Sequence, residues 1–248
     1  HGEGLGEHGE PDHGIFLYDS TVRIPLIVRA PAATYRGVVD AVVRDIDVMP
    51  TVLEFLGLEI PAAVEGQSLL RLMAGHEEDE SRYAYSETQY SRLHYGWSDL
   101  FSIRDARYKF IEAPAPELYD LEQDPGEEHN VYSSQMGIAD PLRTRLEELR
   151  QESAADADAE MADIDPETLE KLMALGYVGS LAPEVEGDLP DPKARLEAMN
   201  LLIRAGRETA ELLGEGRFTE VVSMLEEVLE REPNYMDGYL SLSTAYLG

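Results

Sequence analysis

The chain opens with HGEGLGEHGEPDHGIFLYDSTVRIPLIVRAP, residues 1–31, and this stretch decides the expected fold. Its first fourteen residues hold three of the six histidines and five of the 20 glycines. Glycine lets the backbone turn sharply and approach a ligand closely, and imidazole and carboxylate groups together suit a divalent cation. The composition therefore indicates a metal-binding loop, although a flexible terminus or an expression tag has a similar composition.

A short apolar run follows this loop. Residues 24–29, IPLIVR, are mainly apolar and partly β-branched, which is typical of a buried strand, and Pro25 stands near its start, where a missing N–H is tolerated. A helix is predicted over 47–56, with Asp47 as its N-cap and Gly57 ending it. The strand and the helix together favour an α/β domain.

Four strand-like segments come next, separated by turn residues. Residues 105–107 suggest a tight hairpin connection between two of them, and a helix is predicted over 142–149. The pattern predicts a small antiparallel sheet appended to a larger α/β domain. The four predicted strands span residues 83–90, 100–104, 108–112 and 117–121.

Composition divides the chain into three units. Residues 1–150 form the α/β part, 151–191 read as an acidic linker with a short helix, and 192–248 show helical periodicity. The last unit resembles truncated tetratricopeptide repeats, because Gly216 and Phe218 fall where that pattern has its turn glycine and aromatic residue. A generic helical hairpin remains the alternative.

The chain is strongly acidic. Its 50 Asp and Glu residues against 20 Lys and Arg give a formal charge of -30. Such a field repels nucleic acid and anionic lipid, so neither is a predicted partner. The absence of Cys excludes disulfides, thiolate ligands and a cysteine nucleophile from these 248 residues. No apolar run reaches the roughly 18 residues of a membrane-spanning helix.

Several ordered motifs resemble the sulfatase family within the alkaline phosphatase superfamily. After residues 1–31 they include DIDVMPT at 45–51, GQSL at 66–69, ELYDL at 117–121, DP at 124–125, EHN at 128–130 and LMALGYVG at 172–179. The resemblance covers roughly residues 1–180. It implies an α/β fold, namely part of an alkaline-phosphatase/sulfatase-like sandwich with a small C-terminal antiparallel sheet, here followed by the α-helical repeat segment.

The same resemblance implies a metal site at the start of the chain. His1 matches the second residue of the family's Asp-His or Asp-Asn metal motif and is the implied metal ligand. The implied ion is Ca²⁺, with Mg²⁺, Mn²⁺ or Zn²⁺ as alternatives. The Asp before His1, two further carboxylates and a formylglycine nucleophile are expected upstream, since no Cys/Ser-x-Pro-x-Arg motif occurs here. For His8 a structural role in the loop is favoured.

His13 is the implied catalytic and substrate-binding residue. It matches a position where many members place a basic residue against the sulfate or the departing oxygen, and imidazole can act there as general acid. Asp12 stands where sulfatases often carry Lys. A phosphatase or phosphodiesterase is therefore an alternative, and in two-metal members of the superfamily His13 would be a ligand of the second metal. His94 lies in an aromatic loop, 90–97, of the type that lines sugar pockets, and is predicted to bind substrate; a packing cluster is the alternative.

The predicted function is that of a metal-dependent sulfuric ester hydrolase that releases inorganic sulfate, with this chain inactive by itself. The alternatives are a phosphate or phosphonate ester hydrolase of the same superfamily and a repeat-mediated protein-binding scaffold. The expected partners are a sulfated small molecule or glycan, and a protein or a second copy of the chain through the repeats. Because members of the family are usually exported, the resemblance implies a periplasmic or extracellular location.

Overall fold

A four-stranded antiparallel sheet lies at the centre of the computed structural model, which describes residues 1–31, 35–76, 82–160 and 188–248, with the backbone alone for 153–160. The strands are hydrogen-bonded in sequence order, and all neighbours are antiparallel, as the sequence predicted. Their bounds are Ala84–Thr88 for β1, Leu100–Arg104 for β2, Tyr108–Glu112 for β3 and Glu117–Asp120 for β4. The small antiparallel sheet is therefore confirmed, and each strand lies within one residue of, or inside, its predicted segment.

The turn between β2 and β3 shows why the chain reverses where it does. The carboxylate of Asp105 accepts hydrogen bonds from the backbone N–H groups of Arg107, at 2.7 Å, and Tyr108, at 2.6 Å. A short acidic side chain that bonds the backbone two residues on mimics a turn and closes the hairpin. The hairpin sets the register in which Ile103 pairs with Phe110.

Helices surround the sheet. In the described residues the α-helices are α1 (Asp19–Val22), α2 (Val48–Phe55), α3 (Leu70–Met73), α4 (Tyr90–Tyr95), α5 (Met136–Glu160), α6 (Leu196–Gly214), α7 (Phe218–Arg231) and α8 (Met236–Leu247). The helix predicted over 142–149 is part of α5, whereas the short helix of the predicted linker lies outside the described residues. None of the described helices is long and apolar enough to cross a lipid bilayer.

The two faces of the sheet pack against different partners. Successive side chains of a strand point to opposite faces, so Phe110 and Ile111 enter different cores. Phe110 packs with Leu146 of α5 in one core, and Ile111 belongs to a second core that also contains Phe16 and Leu202 of α6. The sheet thereby joins the N-terminal loop region to the C-terminal helices.

The three C-terminal helices follow one another with short connections between them. Each of the three helices α6, α7 and α8 contacts the other two. Val221 and Leu225 of α7 are completely buried, which the predicted 3.6-residue spacing requires. The helices are present where they were predicted, and their assignment to tetratricopeptide repeats stays a prediction.

Of two local predictions in the N-terminal region, one is wrong and the other holds for the position but not for the side-chain contact. Residues 24–29 do not form a buried strand, since Ile27 is 89% exposed and no described strand pairs with this segment. An apolar pattern predicts an extended segment, but burial needs a neighbouring strand, which the described residues do not offer. Asp47 stands at the predicted N-cap position of α2, but its side chain makes no capping hydrogen bond, because its carboxylate bonds Arg44 and Arg82 instead.

Candidate functional site

The glycine-rich loop at the start of the chain folds back on itself. The backbone N–H of Gly4 donates to the carbonyl of Asp12 at 2.8 Å, and that of Gly6 donates to the carbonyl of Glu10 at 3.1 Å. A Cβ at position 4 would lie 2.5 Å from the Asp12 carbonyl oxygen, closer than real Cβ atoms come. The approach of the two loop segments therefore requires glycine at this position.

Glu10 fixes the second half of the loop from inside. It is 2% exposed and accepts hydrogen bonds from the backbone N–H groups of Ile15, at 2.8 Å, and Phe16, at 3.1 Å. Burial raises the pKa of Glu10, and the two backbone hydrogen bonds oppose that rise. This buried carboxyl group holds the loop across positions 10–16, so that Asp12 and His13 lie at the surface.

The loop brings together His1 and His13, the two predicted histidines that lie twelve positions apart. Their ring centroids are 4.0 Å apart with an interplanar angle of 32°. His13 also donates from Nδ1 to the carboxylate of Glu3 at 2.9 Å, and its side chain is 38% exposed. The result is a solvent-accessible cluster of two imidazoles and one carboxylate, in which an acceptor holds the His13 ring.

These residues do not by themselves make a metal centre. Within the four described ranges, no three His, Asp or Glu side chains converge in a way that would hold a metal ion. The two imidazoles lie ring against ring, and Glu3 bonds His13 rather than pointing with it at a common centre. The described side chains therefore do not fit a complete site for the expected divalent cation.

His8 packs against the core rather than standing in the cluster. Its ring stacks on Tyr18 at a centroid distance of 3.6 Å, and its backbone is left-handed, with φ 55. Burial lowers the pKa of His8, and the neighbouring charge of Lys193 lowers it further. The stacking contact and the partial burial favour a neutral ring at pH 7.

A cavity of about 320 Å³ adjoins the loop. Its lining is mixed and contains two carboxyl groups, an imidazole, and aromatic and aliphatic side chains. Sites for small ligands are typically concave and largely apolar with a few placed polar groups, and this cavity has that composition. The lining residues include Glu10, Asp12, His13, Tyr90, Tyr95 and Ile203.

Helix α6 contributes to this cavity, which no local feature of the sequence indicated. Ile203 is part of the lining, and Arg207, one turn later on the same helix, donates to the carboxylate of Asp12 at 2.6 Å. The two ends of that ion pair are 195 positions apart in the chain. A helical periodicity predicts which face of α6 is apolar, but it does not predict which loop that helix meets.

His94, predicted to bind substrate, lies behind the cavity wall. Its Nδ1 donates to the carboxylate of Asp237 on α8 at 2.8 Å, and its side chain is 21% exposed. Its ring stacks on Tyr90 at 4.0 Å, and Tyr90 is the residue that borders the cavity. The structure therefore places His94 between the aromatic wall and the C-terminal helices.

A buried carboxylate ties the segment before α6 to the sheet. Glu117 on β4 is 4% exposed and accepts from the hydroxyl of Tyr18 at 2.8 Å and from Nζ of Lys193 at 2.8 Å. Tyr119 donates to the same carboxylate. Burial raises the pKa of both tyrosines far above the usual range, so their hydroxyls remain donors. The partner Lys193 is 76 positions from Glu117 and was not predicted.

Comparison with known proteins identifies the region that carries the loop and the sheet. The family profile described as N-sulphoglucosamine sulphohydrolase, C-terminal, matches residues 6–152. An N-acetylglucosamine-6-O-sulfatase of Bacteroides thetaiotaomicron is 31% identical over 142 residues, which cover 52% of this chain and 24% of the relative. The multifunctional alkaline phosphatase superfamily protein PehA of Trinickia caryophylli is 33% identical over 150 residues, 53% of this chain and 28% of that protein.

Among solved structures, the chain is similar to a phosphonate monoester hydrolase of Silicibacter pomeroyi, with 32% sequence identity and a TM-score of 0.45. The match covers 68% of this chain and 34% of that chain. The chain spans about a quarter of the length of the two curated relatives. The sulfatase resemblance predicted from the ordered motifs is confirmed, and with the family profile matching more than half of its residues this chain belongs to the N-sulphoglucosamine sulphohydrolase C-terminal family.

Proposed function

We propose that this chain is the C-terminal part of a hydrolase that cleaves sulfuric esters and releases inorganic sulfate. The observation that carries the proposal is the family match over residues 6–152, which begins within the loop that holds His13 beside a cavity. Family membership supports the reaction class. The cavity beside His13 supports placing the substrate against this loop.

In the proposed reaction His13 donates a proton to the oxygen that leaves sulfur. Imidazole is the commonest general acid near neutral pH, and its position at the cavity lining gives it access to a bound ester. Glu3, 2.9 Å from Nδ1, holds the ring so that the opposite nitrogen is directed away from this carboxylate. A general acid oriented by a carboxylate is a recurrent arrangement in hydrolases.

The nucleophile and a metal ion belong to the whole protein in this proposal. We propose His1 as one ligand of a divalent cation, with Ca²⁺ as the preferred ion, and formylglycine as the nucleophile. The remaining ligands and the nucleophile would come from residues other than these 248, which contain no Cys/Ser-x-Pro-x-Arg motif. A divalent ion would supply charge stabilisation to an anionic ester.

The proposed substrate is a sulfated glycan or a small sulfate ester, and the proposed location is periplasmic or extracellular. The cavity is bordered by Tyr90 and Tyr95, whose rings offer an apolar surface to a sugar or an aryl group. The relative named above is an N-acetylglucosamine-6-O-sulfatase, which supports a glycan as the organic part of the ester.

The test is turnover of phenyl sulfate, whose phenoxide leaving group needs a proton, by the whole protein and by His13→Ala. Loss of a general acid lowers kcat by roughly 10²–10⁴-fold. His129→Ala is the matched control, because its side chain is 79% exposed and it is expected to leave kcat unchanged. The 248-residue chain alone is expected to show no turnover. Turnover by the chain alone, or full activity of His13→Ala, would contradict the proposal.

A phosphonate or phosphate ester hydrolase of the same superfamily is the second candidate. The observation that favours it is Asp12, which stands where sulfatases often carry Lys and which leaves the cavity lined by an additional carboxylate. The whole protein should be assayed with 4-nitrophenyl sulfate and 4-nitrophenyl phenylphosphonate under the same conditions. A higher kcat/KM for the phosphonate, together with two bound metal ions, would establish the second candidate over the first.

A further inference from the structure

Helix α6 brings a cation to the edge of the cavity. Ile203 forms part of the lining, and Arg207 lies four residues later, on the same side of the helix. The guanidinium donates from Nη2 to Asp12 at 2.6 Å, and Asp12 is itself a lining residue. The family profile ends at residue 152, so α6 lies outside the part of the chain that defines the family.

The cation of Arg207 lies in negatively charged surroundings. The cavity is lined by two carboxyl side chains, Glu10 and Asp12, in a chain with a formal charge of -30. An anionic substrate would be repelled unless a local positive group offsets those charges. Arg remains protonated at any physiological pH, so Arg207 provides a permanent positive charge at this place.

The ion pair between Arg207 and Asp12 is exposed to solvent, so another anion can compete with Asp12 for the guanidinium. The side chain of Arg207 is 63% exposed and that of Asp12 is 43% exposed. Exposed pairs of this type contribute little to stability, so a ligand anion can replace Asp12 at small cost. A guanidinium presents two parallel N–H donors that match a sulfate or carboxylate group. Arg207 is thus held at the edge of the cavity by an acceptor that an anionic group of a ligand can replace.

We propose that Arg207 binds a second anionic group of the substrate, beside the ester that is cleaved, and that Ile203 packs against the ring that carries both groups. The ligand class is a sugar with two anionic substituents, such as a disulfated glucosamine. This inference rests on the proposed function, since it takes His13 as the residue next to the cleaved ester. It makes α6 a determinant of substrate specificity.

The experiment compares two substrates in the whole protein, N-acetylglucosamine 6-sulfate with one anionic group and glucosamine 2-N,6-O-disulfate with two. Arg207→Ala should lower kcat/KM for the disulfated sugar by about 10–100-fold, mainly through KM, because a charge-assisted bidentate contact is lost. The monosulfated sugar should change by less than about threefold, since it makes no direct contact with Arg207 and loses only a solvent-screened attraction. Arg207→Lys keeps the positive charge but lacks the two parallel N–H donors of a guanidinium. Its kcat/KM for the disulfated sugar should lie between those of wild type and Arg207→Ala.

The matched control is Arg231→Ala on α7. Arg231 is 62% exposed and pairs with a single carboxylate, Glu227, at 2.7 Å, so the variant removes the same charge from an equally exposed pair. It should leave both substrates unchanged. Equal losses on the two sugars in Arg207→Ala, or no loss on the disulfated sugar, would overturn the proposal.

Calorimetry separates this proposal from the proposed function. If the whole protein cleaves neither sugar, the proposed reaction fails, and binding of the disulfated sugar still reports on Arg207. A dissociation constant at least tenfold weaker in Arg207→Ala than in wild type and Arg231→Ala supports the anion site. Equal dissociation constants, or no binding by wild type, reject it.

Discussion

Asp47 shows how a single side chain can be assigned to the right motif and the wrong role. It is completely buried, and its carboxylate accepts from Arg44 at 2.7 Å, from Arg82 at 2.8 Å and from the backbone N–H of Gln67 at 2.8 Å. Burial alone would raise the pKa of Asp47, but the hydrogen bonds from Arg44 and Gln67 outweigh it and hold the pKa below its usual value. The residue links the start of α2 to the GQSL turn instead of capping the helix.

Asp47→Asn should therefore destabilise the protein by about 3–5 kcal/mol at pH 7, since it removes a completely buried charge from its ion pairs with Arg44 and Arg82. Urea unfolding measures the difference, and Asp45→Asn, an exposed neighbour, should cost less than about 1 kcal/mol.

The pH dependence of that difference has a definite sign. The folded-state pKa of Asp47 lies below the unfolded value of 3.8, so its contribution is complete above that pH and is lost as the pH falls through the folded-state pKa. The stability gap between wild type and Asp47→Asn should narrow as unfolding is measured at successively lower pH below 4. A gap that widens on acidification would contradict this account.

Helix α5 is the element that covers one face of the sheet. Leu146 is completely buried against Ile103 and Phe110, and these side chains form the centre of one core. Local sequence predicted both the helix and the strands, because each has a regular apolar period and turn residues at its ends. The packing of α5 across β2 and β3 buries the apolar side chains of the helix and of the two strands in one core.

Leu146→Ala should cost about 2–5 kcal/mol, since it removes buried methyl groups and leaves a cavity in a close-packed core. The measurement is the midpoint of urea unfolding, with the slope expected to stay the same. Leu240→Ala on α8, where the side chain is 59% exposed, is the control and should change stability by less than about 1 kcal/mol. Equal effects in the two variants would show that α5 does not form the core described here.

At the scale of the whole molecule, the sheet and the loop are held to the C-terminal helices by polar contacts over long sequence distances. His94 with Asp237, Lys193 with Glu117 and Arg207 with Asp12 each join the family region to the helices or to the segment before them. These pairs act within a chain whose formal charge is -30. Repulsion among the excess carboxylates opposes the compact state throughout.

Added salt should therefore stabilise the folded 248-residue chain. Screening lengths fall from about 30 Å at 0.01 M to about 10 Å at 0.1 M ionic strength, so distant repulsions weaken first, while the buried pairs are screened less. The midpoint of thermal unfolding should rise by a few degrees between 0.01 M and 0.5 M NaCl. KCl at equal ionic strength is the control and should act alike. A midpoint that falls with NaCl would mean that attractive surface pairs outweigh the repulsion.

The amino-acid sequence by itself determined the four strands, their hairpin at residues 105–107, the helical C-terminal region and the sulfatase family, because periodicity, turn residues and ordered motifs are local properties. It also placed His1 and His13 in one loop, where the glycines bring them into contact. Only the tertiary structure decided the exposure of residues 24–29 and the partners of Asp47 and His94. It alone brought Arg207 to the cavity, since a contact between residues 195 positions apart depends on how helices dock and leaves no periodic trace in the chain.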